Sequence, residues 1–265
     1  MTERLGKRIL CVADTQCKPG VDLSYMTLVG KYIAEKRPDV VVHIGDHFDF
    51  ESLSSYDRGR KAAEGRRLVA DIEAGQEGMK RLLAPLRALQ AQQRRFRKRV
   101  YQPELHFCEG NHEDRFNRMA EEQPALEGFV GTKTLNLEQY GWKVHPFLKP
   151  VEIEGIYFVH YLMNPLNGRP RSGTAASQLK AVGSSFVAGH KQVLDIAIGD
   201  NQLDGRFRLG LINGACYEHD EGYKGYQGNN HFRGLVMLSE VDDGFAIPIP
   251  VSLRYLREKY EGGVK

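Results

Sequence analysis

Val41-Val42-His43-Ile44-Gly45-Asp46-His47-Phe48-Asp49 is the stretch that decides how this chain folds. A short apolar run ends in Gly-Asp, and a second Asp follows three residues later. Such a run, bounded by a turn residue, reads as a buried strand that delivers Asp46 at its carboxyl tip. Gly45 lets the backbone turn sharply there. Upstream, residues 8–13 form another apolar run ending at Asp14, followed by Thr15, Gln16 and a Pro19-Gly20 turn. Between the two runs, Met26, Leu28, Val29, Tyr32 and Ile33 give residues 23–36 the apolar spacing of a helix. Arg37-Pro38-Asp39 stops that helix, because proline disfavours helical geometry in the residue before it. Strand, helix and parallel strand make a βαβ unit, whose ligands gather at the carboxyl ends of its strands.

Further along, residues 62–99 read as one or two long helices with an apolar stripe at Leu68, Ile72, Met79, Leu82, Leu83, Leu86 and Leu89. Gly65, Gly75, Gly78 and Pro85 predict a break or kink. The segment closes on Arg94-Arg95-Phe96-Arg97-Lys98-Arg99, which suits a solvated helix end or a phosphate-backbone contact. Residues 104–108 form a third strand ending at Glu109-Gly110-Asn111-His112-Glu113, where a helix begins. Two short strands about a Gly155 turn lie within 151–159, and the second ends at His160. Residues 164–176 read as a long loop carrying Arg169 and Arg171, followed by a short helix over 175–181. Residues 185–188 run into Gly189-His190-Lys191-Gln192. Beyond, residues 193–198, 207–212, 235–240 and 245–249 look like strands with no long helix between them, which predicts an antiparallel sheet packed on the first. No repeat or linker divides the chain, so residues 1–265 read as a single domain.

The composition bounds the partners. At 265 residues, with 27% charged and 41% hydrophobic residues, the chain reads as a globular protein with a full core. A net charge of +3 permits a polyanionic partner without demanding one. No apolar stretch approaches the ~20 residues of a membrane span. The polar amino terminus shows no signal peptide. Cys11, Cys17, Cys108 and Cys216 lack CxxC pairing, which fits thiols in a reducing compartment. A cytoplasmic location is therefore expected.

Five apolar runs end at Asp14, Asp46, Asn111-His112, His160 and His190, and each tip carries a residue that binds a divalent cation or transfers a proton. In that order, Asp14-Thr15-Gln16, Gly45-Asp46-His47-Phe48-Asp49, Gly110-Asn111-His112-Glu113, His160 and Gly189-His190-Lys191-Gln192 resemble the calcineurin-like metallophosphoesterases. The resemblance spans residues 14 to 192 and is strongest to the branch found in phage genomes and in nucleases related to the double-strand-break repair exonuclease. It implies an α+β fold, a four-layer α/β/β/α sandwich of two packed mixed sheets. It also implies two divalent ions bridged by Asp46. Asn111, His160 and His190 would complete one site, and Asp14, Gln16 and Gln192 the other. His112 would face the substrate, oriented by Asp49, while Arg115, Arg169 and Arg171 would contact it. His47 would line the substrate pocket or serve the packing.

The family usually has His where this chain has Gln16 and Gln192. Amide oxygens are harder and weaker ligands than imidazole. One firm site and one looser site follow, with Mn²⁺ as the expected ion and Mg²⁺, Fe or Zn²⁺ as alternatives. The implied activity is a phosphodiesterase or nuclease acting on DNA or a nucleotide, with His112 protonating the leaving alkoxide. A small-molecule phosphomonoesterase is one alternative. A non-catalytic nucleic-acid-binding scaffold with a degraded metal site is another, kept open by the two glutamines. His43 reads as packed core, and His106 and His145 as structural or exposed. The aromatic stretch over 216–231 reads as a substrate rim or as a loop fixing the second sheet. The oligomeric state has no signature in the sequence.

Overall fold

Side chains along β1 (Lys7–Val12) alternate with the two-residue period of a strand. Leu10 and Val12 enter a core shared with helices, while Ile9 and Cys11 enter a second core that holds Phe158, Val187 and Leu211. Both faces are buried, which is why the run is apolar throughout. The computed structural model describes residues 6–55, 59, 64–200 and 205–262. β2 (Val40–His43) and β3 (Glu104–Cys108) run parallel beside β1, with Leu10 opposite Val41 and Val41 opposite Leu105. The short β4 (Lys143–His145), which has too few residues to show a period, lies parallel to β3 at the edge.

α1 (Ser24–Lys36) makes the crossover between β1 and β2 as expected. Of the two alternatives for this segment the single helix holds: α2 (Leu68–Arg95) is continuous over 28 residues with Pro85 inside it, and the expected break is absent. The glycines do not break it, because they lie where other segments come close. A Cβ on Gly75 would meet Phe48 at 2.0 Å, and one on Gly78 would meet Cys17 Sγ at 2.4 Å. Pro85 packs on Gly30 of α1, where a Cβ would lie 2.9 Å from its ring. Residues 62 and 63, at the expected start of this helix, lie outside the described residues. α3 (Asn111–Glu122) begins directly at the tip of β3.

The second sheet contains β5 (Val151–Ile153), β6 (Ile156–Phe158), β7 (Phe186–Ala188), β8 (Leu194–Asp200) and β9 (Phe207–Asn213), in the order β5-β6-β7-β9-β8. α4 (Ala175–Val182) covers its outer face through Leu179, against Phe186 and Ala188. The expected separate antiparallel sheet is corrected here. β10 (Gly234–Asp242) pairs antiparallel with β1 and β11 (Phe245–Ser252) with β10, so both extend the first sheet. β8 and β9 instead complete the second, in which β6, β7 and β9 are parallel. Patterning tells that a strand is buried, but the edge it joins is set by which edge needs covering. The result is α+β, with helices, two mixed sheets and a helix as four layers.

α5 (Gly225–Gly228) sits in the segment between β9 and β10, and α6 (Leu253–Arg257) follows β11. The four cysteines are free and buried. Among the described residues, no helix is long and apolar enough to cross a membrane.

Candidate metal centre

The tips of β1 and β2 continue side by side after both strands end. Asp14 N donates to Gly45 O (3.1 Å), Gln16 N to Asp46 O (2.9 Å) and Cys17 N to His47 O (2.7 Å). The third tip lies on the second, backbone against backbone. Gly45 has φ +86°, and a Cβ there would sit 2.5 Å from Gly110 N. A Cβ on Gly110 would sit 2.1 Å from Asp46 Oδ1. Glu113, fully buried on the first turn of α3, locks this contact. Its carboxylate accepts from the backbone N–H of Asp46 (2.9 Å), His47 (2.7 Å), Phe48 (2.9 Å) and Gly110 (2.8 Å). Sequence reading passed over this role. Its signal is a Glu at the third helical position, which can reach back to the helix start.

Asp14, Gln16, Asp46, His190 and Gln192 have φ of 48, 41, 52, 66 and 57°. Left-handed geometry costs an L-residue about 1–2 kcal/mol. Strain of this kind persists where surrounding packing imposes it and clusters at functional sites. Other left-handed residues lie elsewhere in the chain, but at the strand tips five of the candidate ligands share this geometry. Ligand atoms of Asp46, His160 and His190 lie within 4.8 Å of one another. Asn111 Oδ1 stands 2.9 Å from His160 Nε2 and 2.7 Å from His190 Nδ1. His160 Nδ1 donates to Ile44 O at 2.7 Å, so the proton is fixed on that nitrogen and Nε2 faces Asp46 Oδ2 at 3.3 Å.

The other half of the set is Asp14, Gln16 and Gln192. Asp14 and Gln16 are fully buried, and Asp14 Oδ1 and both amide heteroatoms of Gln16 have no hydrogen-bond partner. Buried polar atoms are nearly always paired, so the two oxygens, Asp14 Oδ1 and Gln16 Oε1, fit a hard divalent cation. Gln192 is engaged: its Oε1 accepts from Tyr217 Oη (2.8 Å), which in turn accepts from Lys224 Nζ (2.9 Å). Tyr217, buried in the stretch read as a substrate rim or a sheet-fixing loop, therefore fixes the amide's orientation.

Charge is arranged to favour a cation. Burial pushes the Asp14 carboxyl up to about 7, and the Asp46 charge adds to it. Burial acts the same way on Asp46, but the imidazoles of His112 and His160 hold it far below the usual carboxylate range. Burial opposes charge on His160 as well, yet Asp46 raises it to about 9. Burial, with His160 alongside, lowers His190 to about 4.

Beside this cluster stands a carboxylate–imidazole pair. His112 Nδ1 is 2.7 Å from Asp49 Oδ1. A carboxylate only accepts, so Nδ1 carries the hydrogen. Nε2 is then turned to the cluster, 3.6 Å from Asp46 Oδ2, and accepts from Arg115 Nη2 at 3.0 Å. His112 N also donates to Asp46 Oδ1 at 2.9 Å, which ties the pair to the cluster. The residues from Asp14 to His160 lie within a segment, 7–172, that matches the family model for calcineurin-like phosphoesterases.

The chain belongs to this family. His190 and Gln192 fall beyond the matched segment, and His190 joins the cluster through its bond to Asn111. The chain is similar to the gene 54 protein of Mycobacterium phage D29, 30% identical over 192 residues covering 70% of this chain and 69% of the relative. The gene 54 protein of Mycobacterium phage L5 is 29% identical over 192 residues, with the same coverage. Among solved structures, Yfce, a phosphoesterase from E. coli, aligns with 93% of this chain and 99% of its own at 11% identity and a TM-score of 0.34.

The remaining expected substrate residues of this phosphoesterase are placed unevenly. His47 is fully buried, with Nδ1 2.8 Å from Thr15 Oγ1 and Nε2 2.8 Å from Gly75 O. That corrects the substrate-pocket option in favour of packing. Arg115 lies at the pair, Arg171 lies with Tyr161 beside His190, and Arg169 is exposed on its loop. The cationic run ends α2, which passes the centre at Gly75, so Arg95 stands about 30 Å away along the helix axis. Its phosphate-contact option finds no support from position.

Proposed function

We propose that this phosphoesterase is a metal-dependent phosphodiesterase or nuclease that works with two divalent ions, Mn²⁺ first among them. The observation that carries the reading is the 3.6 Å separation between His112 Nε2 and Asp46 Oδ2, which joins a hydrogen-bonded proton donor to a cation cradle. Bound ions there would supply the positive charge that neutralises a phosphoester and lowers the pKa of an attacking water. Asp46, Asn111, His160 and His190 would hold the firmer ion, and Asp14, Gln16, Asp46 and Gln192 the looser one. Protonated to the imidazolium, His112 gives the Nε2 proton to the leaving alkoxide. Asp49 keeps the imidazole in the required tautomer and offsets the charge when it is protonated. Arg115 is within reach of the same space and binds a non-bridging phosphate oxygen. Arg171 beside His190, with Arg169 exposed on the same loop, offers cationic charge to a phosphate backbone, which supports a diester over a small monoester.

One panel tests this: bis-p-nitrophenyl phosphate, p-nitrophenyl phosphate, and single- and double-stranded DNA, each with Mn²⁺, Mg²⁺ or Zn²⁺. Turnover of a diester or DNA with Mn²⁺ is expected, with DNA binding that weakens steeply as salt rises. Turnover of the monoester alone would make the protein a phosphomonoesterase. Turnover of none would favour a binding scaffold.

A further inference from the structure

Asp49, Glu51 and Glu221 bring carboxylate oxygens within 4.8 Å of one another, close enough to resemble a second metal site. The site already holds a cation. Lys18 Nζ lies 2.9 Å from Glu51 Oε1, 2.8 Å from Glu221 Oε2 and 3.6 Å from Asp49 Oδ2. The ammonium is 10% exposed, and Asp49 and Glu221 are 6% and 2% exposed. Two short contacts hold the cation, and the longer one faces Asp49. Asp49 is thus gripped from both ends, His112 on Oδ1 and Lys18 on Oδ2. Lys18 also sits two residues after Gln16, on the segment that pairs with the Asp46 loop through Cys17 and Phe48.

From this geometry we infer that Lys18 is a positioning residue for proton donation: Glu51 and Glu221 aim its ammonium at Asp49, and the fixed carboxylate holds His112 with Nε2 turned to the cluster beside Arg115. The inference rests on the proposed role of His112 as proton donor. Without the cation, the buried carboxylates of Asp49 and Glu221 and the partly exposed one of Glu51 crowd one another, and Asp49 is free to rotate off Nδ1. Glu221 carries the same device into the 216–231 segment, where Asn229 Oδ1 accepts from its backbone N–H at 2.8 Å. That segment is thereby fastened to the pair as well as to Gln192, so it belongs to the centre rather than to the sheet alone.

The test uses Mn²⁺-loaded full-length protein with Lys18→Met, Lys18→Gln and Lys18→Arg. Lys18→Gln keeps hydrogen-bond donors for the glutamates and serves if the methionine variant does not fold. Two readouts are taken. The first is kcat on bis-p-nitrophenyl phosphate, whose leaving group needs no proton, against diphenyl phosphate, whose leaving group does. The ratio should rise by about tenfold or more in the neutral variants, with little change in KM, and return in Lys18→Arg. The second is the ¹⁵N spectrum of the His112 ring in the metal-free protein. It should show the Nδ1–H tautomer in the native chain and in Lys18→Arg, and a mixture in the neutral variants. Equal loss on both diesters, or an unchanged tautomer in the folded neutral variant, overturns the inference. A native protein that hydrolyses neither diester removes the phosphodiesterase reading, while the ring spectra still decide the role of Lys18.

Discussion

Gln16 and Gln192, the two amides expected to complete the looser ion site, differ in freedom. Both amide atoms of Gln16 are unpartnered, whereas Gln192 is held by Tyr217. Gln16→His should therefore insert an imidazole where a ligand is wanted and raise affinity for Zn²⁺ relative to Mn²⁺ by about tenfold, since imidazole suits zinc better than an amide oxygen does. Competition titration of the two ions against a chromophoric chelator measures it, and an unchanged preference would place Gln16 outside the coordination shell. His112→Ala makes a different cut. It should leave Mn²⁺ binding intact and lower kcat by about 10²–10⁴ on esters with poor leaving groups, because it removes the proton donor but no ligand. Retained turnover of such esters would take His112 out of the reaction. The ligand candidates were legible because each follows an apolar run and so announces its place at a strand tip. Glu113, Lys18 and Tyr217 were not. Lys18 meets Glu221 across 203 residues with no local pattern to mark it, and Glu113 has a helix-start signature that does not tell that it also fastens His47, 66 residues away.

At the scale of elements, the βαβ start, the hairpin at Gly155 and the helix over 175–182 follow from periodicity and turn chemistry. The break expected in α2 does not occur, although proline and glycine weaken an isolated helix. In the protein, packing decides: the glycines admit Phe48, Cys17 and α1, and burial of Met79, Leu82, Leu83 and Leu86 compensates. The same contact gives a stability prediction. A Cβ on Gly30 would lie 2.2 Å from Leu82 O and 2.9 Å from the Pro85 ring. Gly30→Ala should force α1 and α2 apart and cost about 1–3 kcal/mol in urea unfolding, although alanine is the better helix former. Because Gly30 is remote from the strand tips, the folded fraction should keep its activity per molecule. A gain in stability would show that the helix pair gives way without strain.

For the whole molecule, family membership and the two-sheet architecture agree with what the motif order implied, while the partition of the last four strands between the sheets did not follow from their patterning. Burial is visible in sequence, whereas the edge of β1 that β10 covers exists only once the first sheet has formed. The strand tips that meet at the centre come from both sheets: β1, β2 and β3 from the first, β6 and β7 from the second. A cation bound between them therefore ties the sandwich together, and Mn²⁺ at about a hundredfold over its Kd should stabilise the fold by about 2.7 kcal/mol. This effect depends on pH, and its sign follows from His160. In the metal-free fold its pKa is raised from 6.5 to about 9. The protonated ring therefore stabilises that fold below about 6.5, and the contribution is lost as pH rises through about 9. Metal needs the same Nε2 without its proton, so ion and proton compete. The difference in Tm between Mn²⁺-loaded and chelator-treated protein should widen between pH 6.5 and about 9, measured without oxygen by differential scanning calorimetry. A difference that stays constant over that range would mean that His160 gives up no proton when the ion binds and does not ligate it.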